Sequence, residues 1–273
     1  MAQALVEMYR SYYEFWDKHS DPRSKHLPLM GDPLPIVMVI GVYMYFISIL
    51  GPRLMKNRAP MQLNRFMHCY NAVQVVANAM IVYKVFHLVW IPWKYNFWCD
   101  GIETTDENFG KEVAYACYYY FVLKILDFVD TMIMVLRKKD SQVSFLHKYH
   151  HVMICVGAWV GAAIMPGGPH EALFATMNCS IHVIMYSYYS ATIFNPELRN
   201  CKYKRHLTEI QLVQFAVAGI HAVVGYFQPN CTFPKWAFLL FVPQDVFMIC
   251  MFLDFYIKAY VKPKQLKKKQ RAE

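Results

Sequence analysis

Three histidines, His147, His150 and His151, lie close together in this chain and open an apolar stretch that continues to Met165. At i, i+3 and i+4 spacing their side chains share one face of a helix. Polar side chains inside a membrane span are costly enough to suggest a function. Because imidazole can act as a nucleophile, a general base or a metal ligand, the cluster predicts acyl transfer or a transition-metal site.

The metal alternative needs more than one histidine cluster, since membrane di-iron oxygenases hold their metals with several histidine boxes. The remaining histidines of this chain are not paired at ligand spacing with one another: His19, His26, His68, His87, His170, His182, His206 and His221. One cluster suffices for acyl transfer, in which imidazole attacks a thioester and polar donors stabilise the oxyanion. We therefore expect no bound metal.

Other polar residues fall within apolar segments in helical register. Lys124, Asp127, Asp130 and Thr131 occupy about a third of one helix circumference. An ion pair between Lys124 and Asp127 that serves only packing is an alternative for that group. Two further stripes carry polar side chains, one with Asn178, His182, Met185 and Tyr189 and one with Thr208, Gln211 and Gln214. Hydrogen bonding between helices explains the amides of these stripes, and explains His182 less well.

The elements that would position these groups are membrane helices. Of 273 residues, 56% are hydrophobic and 17% charged, which is typical of a protein with several membrane spans. Windows of about 20 residues predict seven spans in an all-α, polytopic single domain over 1–273. The predicted spans are Pro35–Leu50, Phe66–Ile91, Val113–Leu136, Val143–Met165, Glu171–Phe194, Leu207–Phe227 and Lys235–Ala259.

Basic residues set the predicted topology, because cytosolic loops collect Lys and Arg. Such residues follow the first, third, fifth and seventh spans, as in Arg137, Lys204 and the tail 260–273, and the other loops are poor in them. The tail is therefore predicted to be cytosolic and the N-terminal segment 1–34 to be luminal and interfacial. The topology accounts for most of the net charge of +9, so we expect no nucleic-acid partner.

Cysteine positions predict one covalent link. Cys99 and Cys231 are the two cysteines in the non-cytosolic loops, and an oxidising lumen allows them to pair. The bridge would tie the second and third spans to the sixth and seventh.

With these motifs the chain resembles the very-long-chain fatty acid elongase family, the membrane 3-ketoacyl-CoA synthases. The resemblance spans nearly the whole chain. It rests on Gly51–Arg58 with Tyr70, Asn71 and Gln74, on Lys124–Thr131 and Leu136–Lys139, on the histidine box Gln142–His151, on Asn178–Tyr189 and on Thr208–Phe215. One position departs from the family pattern, since Asp127 stands where Glu is more usual.

The resemblance implies condensation of a long-chain acyl-CoA with malonyl-CoA to 3-ketoacyl-CoA, CO2 and CoA in the endoplasmic reticulum membrane. Six of the seven helices would surround a substrate tunnel. His150 would carry the acyl group as an acyl-imidazole, with His147 and His151 orienting it and moving protons. The remaining expected roles are His182 and Asn178 for the malonyl thioester, Asp127, Asp130 and Lys124 for orienting the histidines, Gln142, Gln211 and Tyr189 for lining the site, and Arg137, Lys138, Lys204 and Arg205 for the CoA phosphates.

No dinucleotide fingerprint is present, so we expect neither NAD(P)H nor any other bound cofactor. The reductases and dehydratase of an elongation cycle, and a second copy of the chain, are candidate protein partners, and the sequence selects neither. Two rival functions make different predictions. A di-iron oxygenase would bind iron and lose activity with a chelator, and a non-catalytic seven-span protein would form no malonyl-CoA-dependent product.

Overall fold

The computed structural model describes residues 2–200 and 203–262, so most of the predicted basic tail lies outside the described residues. No strand occurs within these ranges. The helical segments are α1 Ala2–His19, α2 Leu34–Met55, α3 Asn64–Trp90, α4 Asn108–Leu126, α5 Phe128–Leu136, α6 Phe145–Ile164, α7 Pro169–Phe194, α8 Tyr203–Phe227 and α9 Lys235–Val261.

Each predicted span except the third coincides with one of these segments, and the third coincides with α4 and α5 together, because each apolar run is bounded by polar residues that end it. Among the described helices, α2, α3, α8 and α9 are long and apolar enough to cross a membrane. The other three predicted spans coincide with α4–α5, α6 and α7, whose buried faces carry the charged, amide and histidine side chains. The chain is an all-helical, multi-pass membrane protein.

The third predicted span is not one continuous helix. Its prediction as an uninterrupted segment, Val113–Leu136, is wrong at Asp127, which separates α4 from α5. The backbone tightens there, since the N–H of Asp130 donates to the carbonyl of Asp127, three residues earlier, at 3.2 Å. The break places the Asp127 carboxylate between the two helices.

The helices pack in a cyclic order. α3 packs along α7, α7 along α8, and α8 along α9, while α4 packs along α6 and also contacts α3. The contact between α6 and α9 is sparse and closes the order, and α2 lies against α5 and α6. The hydroxyl of Tyr149 on α6 donates to Oε1 of Gln244 on α9 at 2.5 Å, which bridges this sparse seam.

A disulfide and hydrogen bonds connect the loops at the end of the molecule that is predicted to be luminal. Cys99 and Cys231 form a disulfide with their Cα atoms 5.5 Å apart. Arg23 donates to the carbonyls of Glu103 and Thr105 at 2.6 and 2.7 Å. A hydrogen bond from Arg23 to Asp21 raises the pKa of the guanidinium. This end is therefore closed by one covalent link and by a buried, permanently charged side chain.

The chain before α2 also covers the end of α6. The hydroxyl of Ser24 donates to the carbonyl of Ala162 at 2.7 Å, and the N–H of Asp21 donates to the carbonyl of Ala163 at 2.7 Å. The indole N–H of Trp159 donates to the carbonyl of Leu29 at 2.9 Å. The contacts of Ser24 and Asp21 satisfy carbonyls that the last turn of a helix leaves without intrahelical partners, and that of Trp159 fixes the loop at Leu29.

Candidate active site

The three histidines of α6 lie together, as their spacing predicts. Helix α6 begins after Ser144, whose hydroxyl accepts a hydrogen bond from the backbone N–H of His147 at 3.2 Å. The ring centroids of His147 and His151 are 4.3 Å apart, and those of His150 and His151 are 5.6 Å apart. The cap thus sets the helical phase that brings the rings together.

Thr131 on α5 orients His147. The hydroxyl of Tyr43 donates to Oγ1 of Thr131 at 2.9 Å, and Oγ1 lies 2.9 Å from Nε2 of His147. The Thr131 hydroxyl has one proton and two lone pairs, so it can hydrogen-bond Nε2 of His147 while it accepts from Tyr43. A chain of two hydroxyl groups therefore fixes the orientation of the His147 ring.

His151 and His182 are both buried, and each has an Nδ1 atom without a hydrogen-bond partner among the described residues. Nδ1 of His182 lies 3.7 Å from Oδ2 of Asp127, too far for a hydrogen bond. His182 also interacts electrostatically with His150 and Lys124. Both imidazoles thus keep a nitrogen free for a reacting group or for proton transfer.

A buried ion pair, formed by Lys124 and Asp127, lies close to the histidines. Nζ of Lys124 lies 3.1 Å from Oδ2 of Asp127 and donates to Oδ1 of Asn178 at 2.9 Å, and both charged side chains are at most 1% exposed. The hydroxyl of Tyr120 also donates to Oδ1 of Asn178, at 3.2 Å. Since an ammonium group only donates, the Asn178 oxygen faces Lys124, which leaves its NH2 group as a donor.

The other oxygen of Asp127 is held by neutral donors. Nε2 of Gln74 donates to Oδ1 at 2.8 Å, and the hydroxyl of Tyr186 lies 3.2 Å from the same atom. Tyr186 is closer to Oδ2 of Asp130, at 2.6 Å. Together these donors allow a carboxylate to remain charged at membrane depth. The two carboxylate oxygens of Asp127 reach these partners and Lys124 directly, at 2.8 to 3.2 Å.

The expected role of Asp130 in orienting a histidine would act through Tyr186, which donates to Asp130 and whose ring centroid is 5.7 Å from that of His182. The described contacts connect Asp130 to Tyr186, and Thr131 is the residue that hydrogen-bonds His147. On a helix, adjacent residues point about 100° apart, so one position decides which of two neighbours meets the facing helix. From the sequence, Asp130 and Thr131 were both predicted to lie on the same third of the helix circumference.

An apolar cavity of about 560 Å³ borders the site. Of the four candidate catalytic histidines, only His150 lines it, next to Phe215 and Phe252, whose ring centroids are 6.3 and 6.2 Å from the His150 ring. Its walls come from α6, α7, α8 and α9, with Tyr120 from α4. Tyr120 therefore joins the cavity to Asn178 and the buried ion pair.

The other predicted site residues lie outside this cluster. Gln142 precedes α6 on an exposed turn, because the helix begins only at Phe145. Tyr189 is 37% exposed and lies one turn from Tyr186, and Gln211 contacts the sulfur of Met185 at 3.9 Å. None of the three lines the cavity that the described residues form.

The predicted phosphate-binding cations lie at the end of α5 and in the first turn of α8. Arg137 ends α5, with its backbone N–H donating to the carbonyl of Ile133 at 2.9 Å, and the side chain of Lys204 is exposed in the first turn of α8. Lys138 is also exposed. Arg205 is engaged by Glu209 at 2.7 Å, so an incoming phosphate would compete with that carboxylate.

The structure contains a second histidine pair, which the sequence did not predict. His170 and His221 are 51 residues apart, yet their Nδ1 atoms are 2.9 Å apart at the far end of the cavity. Nε2 of His221 donates to the carbonyl of Phe97 at 2.6 Å, so His170 donates to His221. Gly225 packs against His170, where a Cβ atom would lie 2.4 Å from Cε1. Only tertiary packing brings the two rings together.

Within the described residues, no three His, Cys, Asp or Glu side chains are grouped so as to hold a metal ion. The arrangement of the site is a set of neutral imidazoles and directed hydrogen-bond donors beside an apolar cavity. Such a set can supply a nucleophile and stabilise an oxyanion.

Comparison with known proteins gives consistent matches over nearly the whole chain. The ELO (GNS1/SUR4) family model matches residues 28–268. The chain is 36% identical to very long chain fatty acid elongase 1 of Mus musculus, over 97% of this chain and 93% of that protein. It is 37% identical to very long chain fatty acid elongase 4 of Mus musculus, over 96% and 82%. Very long chain fatty acid elongase 7 of Drosophila melanogaster is 32% identical, over 94% and 78%.

Proposed function

We propose a role for each site residue on the premise that the chain belongs to the ELO (GNS1/SUR4) family of very long chain fatty acid elongases. It is a 3-oxoacyl-CoA synthase, an acyltransferase that condenses a long-chain acyl-CoA with malonyl-CoA. The products are 3-ketoacyl-CoA, CO2 and CoA. The site must therefore accept two CoA thioesters, break the carbon–sulfur bond of the first and remove CO2 from the second.

In the first half-reaction, an imidazole nitrogen of His150 attacks the thioester carbonyl of the acyl-CoA. The carbon–sulfur bond breaks, CoA leaves, and the acyl group remains on the ring as an acyl-imidazole. His151 accepts the proton released from His150 and passes it to the departing thiolate, since its free Nδ1 faces no other partner among the described residues. His147 is fixed by Thr131 and supports the position of its neighbours.

In the second half-reaction, Asn178 and His182 hold the thioester carbonyl of malonyl-CoA. Loss of CO2 leaves an enolate whose oxygen accepts hydrogen bonds from the Asn178 NH2 group and from a protonated ring nitrogen of His182. The enolate carbon attacks the acyl-imidazole carbonyl, the carbon–nitrogen bond breaks, and the departing imidazolate takes a proton from water, relayed by His151, which regenerates His150. Lys124 keeps the Asn178 amide in the orientation this step requires.

One observation carries this proposal: His150 alone of the four histidines lines the cavity, while the others stand behind it. An acyl chain in the cavity therefore presents its thioester to His150. The cavity follows α6 from Tyr149 to Met165, sixteen residues or about 24 Å. An extended alkyl chain advances about 1.3 Å per carbon, because its bonds of about 1.5 Å zigzag. The cavity would take about 18 carbons.

We further propose seven membrane spans, with the six helices α3, α4–α5, α6, α7, α8 and α9 around the tunnel and α2 outside. The cyclic packing order supports this arrangement. The single domain would lie in the endoplasmic reticulum membrane with segment 1–34 luminal and the tail cytosolic, and the luminal disulfide supports that orientation. Reduction and dehydration of the product would fall to separate enzymes.

Intact-mass analysis of the purified protein tests the role of His150. After incubation with a C18 acyl-CoA and a chelator, the wild type should gain the mass of one acyl group minus one hydrogen. His150→Ala should gain nothing. His87→Ala removes an exposed imidazole from α3 and should behave as the wild type. Malonyl-CoA should then discharge the adduct and yield 3-ketoacyl-CoA.

Two results would contradict the proposal. An acyl adduct on folded His150→Ala would place the nucleophile elsewhere, with His147 or His151 as the next candidates. An elongation activity abolished by the chelator would favour the metal alternative.

A further inference from the structure

The cavity wall carries a carboxyl group that the condensation does not use. Asp245 of α9 lines the cavity beside Gln244 and opposite α8. Its Oδ2 is shielded from solvent and has no hydrogen-bond partner among the described residues. Unsatisfied buried polar atoms are rare in native proteins, so each one calls for an explanation.

Helix α8 has a glycine, Gly219, where the carboxyl group of Asp245 packs against it. A Cβ atom at position 219 of α8 would lie 2.4 Å from Oδ2 of Asp245. Gly219 therefore leaves room for the carboxyl group between the two helices, and any larger residue would push it away. An unpaired carboxylate at membrane depth is costly, so the group resides there as a neutral acid with one O–H donor and an acceptor oxygen.

A hydrogen-bond donor stands next to the acid. The hydroxyl of Tyr149 donates to Oε1 of Gln244 at 2.5 Å, which turns the NH2 group of Gln244 away as a donor. Tyr149, Gln244 and Asp245, which we call the mid-cavity polar patch, all line the cavity. The patch thus combines a donor with a group that both donates and accepts.

We propose that the mid-cavity polar patch selects acyl chains that carry a hydroxyl group part of the way along the chain. A hydroxyl group can accept from Gln244 and exchange hydrogen bonds with Asp245, whereas a methylene or a double bond satisfies neither. The inference rests on the proposed function, since it assumes that the cavity holds the acyl chain of the substrate.

The position of the patch sets the position of the hydroxyl group. Phe215 of α8 lies beside His150, and Gly219, which contacts Asp245, is four residues or about 6 Å farther along the helix. At about 1.3 Å per carbon this is about five carbons beyond the thioester. Allowing one helical turn for the reach of the side chains, the preferred hydroxyl lies between about C5 and C9.

Steady-state elongation of a matched series tests the proposal. The series contains the unsubstituted C18 acyl-CoA and its monohydroxy isomers from C5 to C14, each with malonyl-CoA. We expect kcat/KM of the wild type to peak at one isomer between C5 and C9, about tenfold above the distal isomers. Asp245→Leu should abolish this peak, so that the isomers between C5 and C9 are elongated no better than the distal isomers.

The same substitution elsewhere on α9 serves as the control. Asp254 is exposed and pairs with Lys258 at 2.7 Å, so Asp254→Leu should keep the peak. Equal elongation of all isomers by the wild type would overturn the inference while leaving the elongase reaction intact, and so would a peak that survives in Asp245→Leu. Since the isomer profile of the wild type is decisive by itself, a variant that fails to fold does not block the test. If no acyl-CoA is elongated, the proposed reaction is wrong and the inference falls with it.

Discussion

Removing the negative partner of the buried ion pair should destabilise the protein strongly. Asp127→Asn keeps the size of the side chain and the hydrogen bond from Gln74, but it leaves the ammonium group of Lys124 without a counter-charge. Both side chains are at most 1% exposed, and Lys124 retains only uncharged partners, the oxygen of Asn178 and the ring of Tyr120, whose centroid is 4.9 Å from Nζ. Breaking a buried pair by removing one partner costs about 3–5 kcal/mol.

The double variant Lys124→Met with Asp127→Asn separates charge from packing. Methionine fills a similar volume without a charge, and Gln74 and Tyr186 still hydrogen-bond the new amide. We expect it to recover at least half of the stability lost in the single variant. The reason is that the penalty of the single variant comes from the uncompensated ammonium group rather than from the lost attraction.

Thermal unfolding of the purified protein in detergent measures both effects. A loss of about 3 kcal/mol corresponds to a fall in Tm of about 6–12 °C for a protein of this size. Asp127→Asn should show that fall, and the double variant should show a smaller one. If the single variant melts at or above the double variant, the pair does not stabilise the fold as argued. The ion pair would then be present for catalysis alone.

Three further predictions concern local contacts. Thr131→Val removes the hydrogen bond to His147 and should lower elongation about fivefold, the equivalent of about 1 kcal/mol, and it should also lower Tm because the buried hydroxyl of Tyr43 loses its acceptor. Gly225→Ala forces a methyl group against His170 and should destabilise by about 1–3 kcal/mol in thermal unfolding, whereas Gly41→Ala, in open space, should not. Replacing either disulfide cysteine by serine should cost about 2–5 kcal/mol relative to the oxidised wild type, and reductant should lower the stability of the wild type by a similar amount.

Hydropathy predicts where the helices lie because each apolar run is long and bounded by charge. It could not predict the break at Asp127, since a window of about 20 residues averages over one tightened turn. The tightened turn determines which side chains of α4 and α5 contact the neighbouring helices. It brings the carboxylate to Gln74 and Tyr186, which a single sequence presents as ordinary polar residues of a membrane bundle.

The histidine cluster was predictable because its members are neighbours on one helix. The pair His170 and His221 was not, since it joins two helices whose relative rotation the sequence does not specify. The same applies to Asp245, whose buried position depends on the space that Gly219 leaves on the neighbouring helix α8. Residue type and spacing therefore reveal a site built on one helix, and miss a site built between two.

The hydrogen bonds from the N-terminal segment to the end of α6 can form only late in synthesis. Ser24 and its partner Ala162 are separated by 138 residues. A ribosome adding about 5–20 residues per second needs about 7–28 s to make that interval. During this time α1 and the segment after it have no finished helix to dock on. The first part of the protein to be synthesised must therefore wait at the membrane surface until α6 has been inserted, and only then does it close over the finished bundle.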